Sequence, residues 1–229
     1  MDLQSLRVIV TGGTGALGRA VAETLAAAGA RVVALDHAPA TTDAPAGVQV
    51  IGGIDLADGD AAGRAVAQAA DLLGGLDALI NIAGGFRWET VQDGSLDSWD
   101  LLYRTNLRTA VAATRAALPL LRQSARASIV NIGAAGALKA GTGMGAYAAS
   151  KAGVAKLTEA LADELKDAGI TVNALLPSII DTPANRRDMP DADFARWVAP
   201  AQLAGTVAFL LSEPARAITG ALIPVTGRV

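Results

Sequence analysis

The chain has 229 residues, 52% of them hydrophobic and 18% charged, with a net charge of −3 and no cysteine. These values exclude a disulfide framework and a thiol nucleophile, and the lack of any basic run argues against a nucleic-acid partner. Aromatic residues make up only 3%, so Ala, Val, Leu and Ile must fill a sizeable core.

No apolar run approaches the roughly 18 residues of a membrane helix. The first residues, Met1 to Arg7, lead straight into a strand pattern. The expectation is a soluble cytoplasmic protein with no leader segment, no membrane partner and no metal site.

Residues 7–11 are a short β-branched run. Gly12, Gly13, Gly15 and Gly18 follow, with Thr14, Ala16 and Leu17 between them, and an Ala-rich helix is predicted up to Gly29. Strand, glycine turn and helix in that order form the context of a dinucleotide fingerprint. The glycines let a pyrophosphate approach the backbone, and the helix N-terminus offers it unpaired N–H groups. A second strand, 31–36, ends in Asp36. An acid there accepts hydrogen bonds from ribose hydroxyls and repels a 2′-phosphate. No Arg or Lys is near enough to neutralise such a phosphate, so NAD is expected over NADP. His37, the single histidine, is read as a loop residue beside the adenine.

Residues 38–47 read as a surface loop and 48–51 as a third strand, leading to Asp55-Leu56. A helix from about 58 to 73 ends at Gly74-Gly75, and 77–82 is a buried strand closed by Ala83-Gly84-Gly85. Small residues at that strand end would leave room for the nicotinamide half of a cofactor. Phe86 and Trp88 follow directly, where ligands of open parallel sheets bind. One long helix is predicted over 97–122, containing Trp99, Tyr103 and Asn106, with Pro119 near its end.

Residues 127–132 form a fifth strand, and a glycine- and alanine-rich loop leads to a helix running to about 168. A sixth strand, 170–176, ends at Pro177. The segment 178–200 is polar, interrupted by Pro183, Pro190 and Pro200, and long for a connection. It is read as a substrate lid or binding loop. A helix over 201–212 and a strand at 221–225 complete the pattern. With no internal repeat and no linker, the alternation predicts one α/β domain over 1–229, a doubly wound parallel sheet of about seven strands with helices on both faces.

Chemistry centres on Tyr147 and Lys151. Four residues apart on a helix, they share one face, one turn from each other. A free phenol titrates near 10, and a nearby cation favours its ionised form. Tyr147 is thus the candidate to trade a proton with a substrate, and Lys151 the candidate to tune it.

Together these residues resemble the short-chain dehydrogenase/reductase family across essentially the whole chain. The resemblance rests on Thr11-Gly12 through Gly18, Asp36, Asp55-Leu56, Asn81 with Ala83-Gly84, Asn106, Tyr147 with Lys151, and Pro177 with Thr182. It implies a Rossmann fold and a nicotinamide cofactor. It also implies Tyr147 as proton donor, and Lys151 binding the nicotinamide ribose and lowering the phenol's pKa. Asn106 would hold a water in a proton relay, and Thr182 would touch the carboxamide or phosphates. A homodimer, with a tetramer as the alternative, is the implied assembly, built on the helices near 97–122 and 147–168.

Departures from the family pattern carry information. Ala16 stands where the middle glycine is usual, Ile82 replaces an Asn, and Ser178 replaces the glycine after Pro177. Ala134, flanked by Gly133 and Ala135, stands where the family places a serine that hydrogen-bonds the substrate oxygen. Losing such a donor typically costs a few kcal/mol of carbonyl polarisation. The dihydropteridine reductase branch is similar at this point, in Ala83-Gly84-Gly85-Phe86, in Gly143-Met144-Gly145, and most densely from Asp181 to Trp197. That likeness implies an NADH-dependent reductase of a quinonoid dihydropteridine or similar flat heteroaromatic imine or quinone. Phe86 or Trp88, with Trp197, would flank the ring, and Asn185 would lie beside it. Two alternatives stay open. One is a general carbonyl or alcohol dehydrogenase in which Ser178, Thr142 or Asn185 replaces the serine. The other is an NAD-binding sensor without turnover.

Overall fold

The computed structural model describes residues 3–40 and 44–229. Part of the expected 38–47 loop therefore lies outside the described residues. Seven parallel strands form one sheet in the order β3-β2-β1-β4-β5-β6-β7. They are β1 Arg7–Thr11, β2 Arg31–Leu35, β3 Val48–Ile51, β4 Ala78–Asn81, β5 Ser128–Ile132, β6 Thr171–Pro177 and β7 Leu222–Val225. Every residue of β4, β5 and β6 is buried. A parallel sheet covered on both faces takes near-continuous apolar strands rather than alternating ones, and these sequences supply them.

Helices α1 (Ala16–Ala27) and α7 (Pro200–Leu210) cover one face. There Val21, Leu25, Leu203 and Val207 meet Val8, Val10 and Ile80. Helices α2 (Gly59–Leu73), α4 (Thr109–Leu121) and α5 (Gly145–Leu165) cover the other, where Val66, Leu73, Leu121 and Leu165 meet Ile9, Leu79 and Ile129. Each such side chain contributes about 1.5–3 kcal/mol by leaving water. A buried polar ladder ties sheet to helices within the second layer. Asn81 donates to Thr114 Oγ1 and Asn131 Oδ1, and Asn131 donates to Thr158 Oγ1.

The helix predicted over 97–122 is not continuous. It is α3 (Leu96–Leu102), a π-helical turn (Tyr103–Arg108) and α4, and Pro119 lies inside α4 without ending it. The 178–200 segment is also more ordered than a loop. It holds α6 (Pro183–Asp188) and a 3₁₀ turn (Phe194–Arg196). Pro183 and Pro200 stand at the starts of α6 and α7, where proline's fixed φ and missing N–H cost nothing. Two of the three prolines read as interruptions are therefore helix starts.

Candidate active site

The sheet order reverses between β1 and β4, and a cleft of about 1610 Å³ opens at the carboxyl ends of the strands there, the usual ligand crevice of such sheets. Thr11 Oγ1 accepts hydrogen bonds from the N–H groups of Ile82 (3.1 Å) and Ala83 (3.2 Å), binding the ends of β1 and β4 together. Gly12 sits at φ +66°, and a Cβ on it would come within 2.9 Å of the Ala83 backbone. Only glycine permits both the conformation and the approach.

Helix α1 begins after Gly15 with no side-chain cap and no acid in its first turn. Its leading N–H groups and dipole are thus available to an anion. Asp36 accepts from the N–H groups of Thr14 (2.9 Å) and Ala38 (3.0 Å), which fixes its carboxylate at the far end of the same turn. Asp55 accepts from the Ala57 N–H (2.9 Å) and pairs with Arg104; the N–H first, then the guanidinium, holds its carboxyl below the ordinary range. Thr14, Ala16, Leu17, Gly18 and Leu56 line this half, and Ala83, Gly84, Gly85, Pro177 and Thr182 line the other. An uncapped helix end, a carboxylate just past the end of β2 and a floor of small residues fit a nicotinamide dinucleotide. Every residue read from the sequence as cofactor-binding borders this one cleft.

Tyr147 lies in the first turn of α5, and Lys151 one turn further in. Lys151 is 5% exposed, and its ammonium donates to the Ile132 carbonyl (2.8 Å). Burial pushes it down to about 8. The same burial pushes the Tyr147 phenol up to about 12. The expected lowering of the phenol by Lys151 is therefore not seen: burial, which disfavours the phenolate, is what moves it. At neutral pH Tyr147 carries its proton, as a donor must.

The Asn106 side chain is engaged inside the protein. The residue is 1% exposed, and its amide accepts from the Gly85 N–H (2.7 Å) and donates to Ser150 Oγ (2.9 Å). Ser150 Oγ in turn donates to the Tyr147 carbonyl (2.7 Å). The amide ties the glycine floor to α5, and Asn106 does not border the cleft.

On the acceptor side, Phe86 meets the Tyr147 ring edge-on, with centroids 4.9 Å apart. Trp88 lies across Gly143, where a Cβ would be 2.1 Å from the indole and where φ is +73°. The Glu89 N–H donates to the Gly143 carbonyl (2.9 Å), so the loop after β4 leans on the approach to Tyr147. Ala134 is buried and borders the cleft, so no hydroxyl comes from that position. Of the proposed replacements, Ser178 donates its hydroxyl to the Thr226 carbonyl (2.8 Å), and Thr142 does not border the cleft. Asn185 borders it and donates one amide N–H to the Ile180 carbonyl (2.7 Å), which leaves a second N–H. Trp197 is 7% exposed, packs on Phe194 at 4.8 Å and does not border the cleft. It is a packing residue under the lid, not a ring-binding one.

Sequence reasoning missed Arg104, Met144 and Arg187 as lining residues. The Asp55–Arg104 pair spans 49 positions, and no local pattern signals a contact of that range.

A family profile described as short chain dehydrogenase matches residues 7–193. D-beta-hydroxybutyrate dehydrogenase of Rhizobium meliloti is 31% identical over 217 residues, 91% of this chain and 84% of that protein. The 3-oxoacyl-[acyl-carrier-protein] reductase of Synechocystis is 33% identical over 234 residues, covering 96% of this chain and 94% of that protein. Among solved structures, a short chain dehydrogenase from Burkholderia cenocepacia in complex with NADP is 32% identical, with a TM-score of 0.87 over 99% of this chain and 98% of that one.

Proposed function

This chain belongs to the short-chain dehydrogenase family and is an oxidoreductase of that family; from that premise we propose that it moves a hydride between NAD(H) and a small carbonyl or alcohol, with Tyr147 as the proton donor. The observation that carries the reading is that Tyr147, protonated at neutral pH, and buried Lys151 share one cleft with the Asp36-bounded dinucleotide cradle. The two relatives, a D-beta-hydroxybutyrate dehydrogenase and a 3-oxoacyl-[acyl-carrier-protein] reductase, support carbonyl and alcohol chemistry. Asp36 supports NAD over NADP, because a carboxylate facing the ribose repels a 2′-phosphate.

When bound, the nicotinamide supplies or takes up the hydride. Tyr147 gives its proton to the acceptor atom that gains charge. Lys151, held by the Ile132 carbonyl, stands one turn behind the phenol and offers a cation to the nicotinamide ribose. Asn185, with its second amide N–H, is the residue left to polarise an acceptor oxygen.

Ala134 supports a second reading, reduction of a flat conjugated imine or quinone. There the proton goes to a ring atom, and no localised oxyanion needs a second donor. The likeness to dihydropteridine reductase over residues 181–197 belongs to this reading, and Phe86 and Trp88 would wall the ring. One assay separates the two. NADH oxidation by purified protein is followed with simple ketones, with quinones and with quinonoid dihydropterin, and in parallel for Ala134→Ser. The carbonyl reading expects turnover of ketones, raised about tenfold or more by the restored hydroxyl. Inert ketones in both proteins, with fast reduction of a conjugated ring, would replace it with the second reading. Repeating the assay with NADPH reads the cofactor preference.

A further inference from the structure

Four cationic side chains border the cleft, and three have partners. Arg104 pairs with Asp55, Lys151 donates to the Ile132 carbonyl, and Arg87 donates to Ser98 Oγ (3.0 Å) and Glu89. Arg187, on the lid helix α6, has no hydrogen bond or ion pair with any described residue. Its neighbour Arg186 does not compete for the same role. That guanidinium is fixed by the Asp181 carboxylate (2.6 and 2.8 Å) and lies over the Phe194 ring at 4.8 Å. The segment thus carries one arginine built into the lid and one free to meet a ligand.

The acids along the cleft do not supply the missing partner. Asp36 is engaged by the Thr14 and Ala38 N–H groups, and Asp55 by Ala57 and Arg104. Asp188 follows Arg187 directly, about 100° further round the helix, and makes no ion pair with it. A guanidinium presents a planar fork of donors that matches carboxylate, sulfonate and phosphate oxygens two at a time. The cleft's lining also includes apolar walls: Phe86, which meets the Tyr147 ring, with Trp88, Ala134 and Met144.

We infer that Arg187 is the anion-recognition residue of this cleft, closing over a ligand's carboxylate, sulfonate or phosphate oxygens when α6 covers the site. The inference rests on the oxidoreductase reading above and deepens it. It assigns the acceptor an apolar body carrying an anionic group, or else it assigns the lid a grip on the cofactor's pyrophosphate. Both sources offer the same anionic oxygens to the same fork.

The test is Arg187→Gln, which keeps length and polarity and removes the charge, with Arg187→Lys beside it. Two readouts are taken. The first is kcat/KM for a carboxylated aldehyde, para-formylbenzoate, relative to its uncharged methyl ester. The second is the NADH Kd from quenching of tryptophan fluorescence. If the anion belongs to the acceptor, Arg187→Gln lowers the charged-to-neutral ratio about tenfold or more, and Arg187→Lys recovers part of it. If it belongs to the cofactor, the ratio holds and the NADH Kd rises by a similar factor. An unchanged ratio together with an unchanged Kd, in a variant with the wild-type melting temperature, overturns the inference. Failure of the oxidoreductase reading looks different: no aldehyde turns over in the wild type, while the NADH titration still reports on Arg187.

Discussion

Tyr147 and Lys151 are paired by a single turn of helix, yet burial moves them in opposite directions, the phenol up to about 12 and the ammonium down to about 8. Both shifts favour the neutral form, as desolvation must. For Tyr147 this means a proton held in place throughout the physiological range. Tyr147→Phe keeps the ring and its contact with Phe86 and removes the hydroxyl that carries the proton. It is expected to leave NADH affinity near wild type and to slow turnover about 10²-fold or more. Stopped-flow NADH oxidation reads both, and turnover near the wild-type rate would assign the proton to another group.

For Lys151 the shift is also a statement about stability. Its folded value of about 8 lies below the ordinary 10.5, so between those values the unfolded chain binds the proton and the folded chain does not. Stability then rises with pH across that window, because below it the fold must bury a charge. The full effect is roughly 3 kcal/mol, at 1.36 kcal/mol per pKa unit. Lys151→Met removes the burden. Urea unfolding at pH 7 and pH 10 is expected to show the variant's advantage over wild type shrinking as the pH rises. A constant difference would mean that Lys151 titrates normally in the fold.

Elements differ in how far the sequence revealed them. The β1 strand, its glycine turn and α1 were legible because every determinant is local: β-branched residues, glycines and a helix start within 7–27. The π turn at Tyr103–Arg108 was not, because its partners are distant. Asn106 reaches Gly85, 21 positions away, and Ser150, 44 positions away, and a helical pattern carries no trace of either. Trp197 misled for a similar reason. An aromatic in a lid sequence reads as a ligand wall until its burial against Phe194 is seen. The glycine turn at the head of the cleft was legible because it is built from neighbours in sequence, whereas Arg104, 49 positions from its partner Asp55, was not. The acceptor half was not, since it is assembled from three separate loops. The bridging amide gives this scale its prediction. Asn106→Ala leaves the Gly85 N–H without its partner and Ser150 Oγ without its donor in a buried setting. Two such losses are expected to cost about 2–3 kcal/mol, read as a lower urea midpoint, with turnover falling as the glycine floor loosens against α5. A loss below about 0.5 kcal/mol would mean that the π turn holds without the amide.

At the scale of the molecule, one surface is left unaccounted for by the fold and the cleft. Tyr103 is 53% exposed and Val111 41%, both on the helical stretch running through the π turn and α4. Exposed large apolar side chains along one helical stretch mark a candidate interaction surface. The partner that fits is a second copy of this chain, since a two-fold pairing buries the same apolar stretch on both sides at once. A homodimer is thus expected at micromolar concentration, with mass measured by light scattering on a sizing column. The double variant Tyr103→Glu, Val111→Glu places four carboxylates across the two-fold contact and should elute as a monomer. Because neither residue borders the cleft, its NADH Kd tells a broken interface from a broken fold. A monomeric wild type would remove the pairing, and a dimer that survives both substitutions would move it to another face.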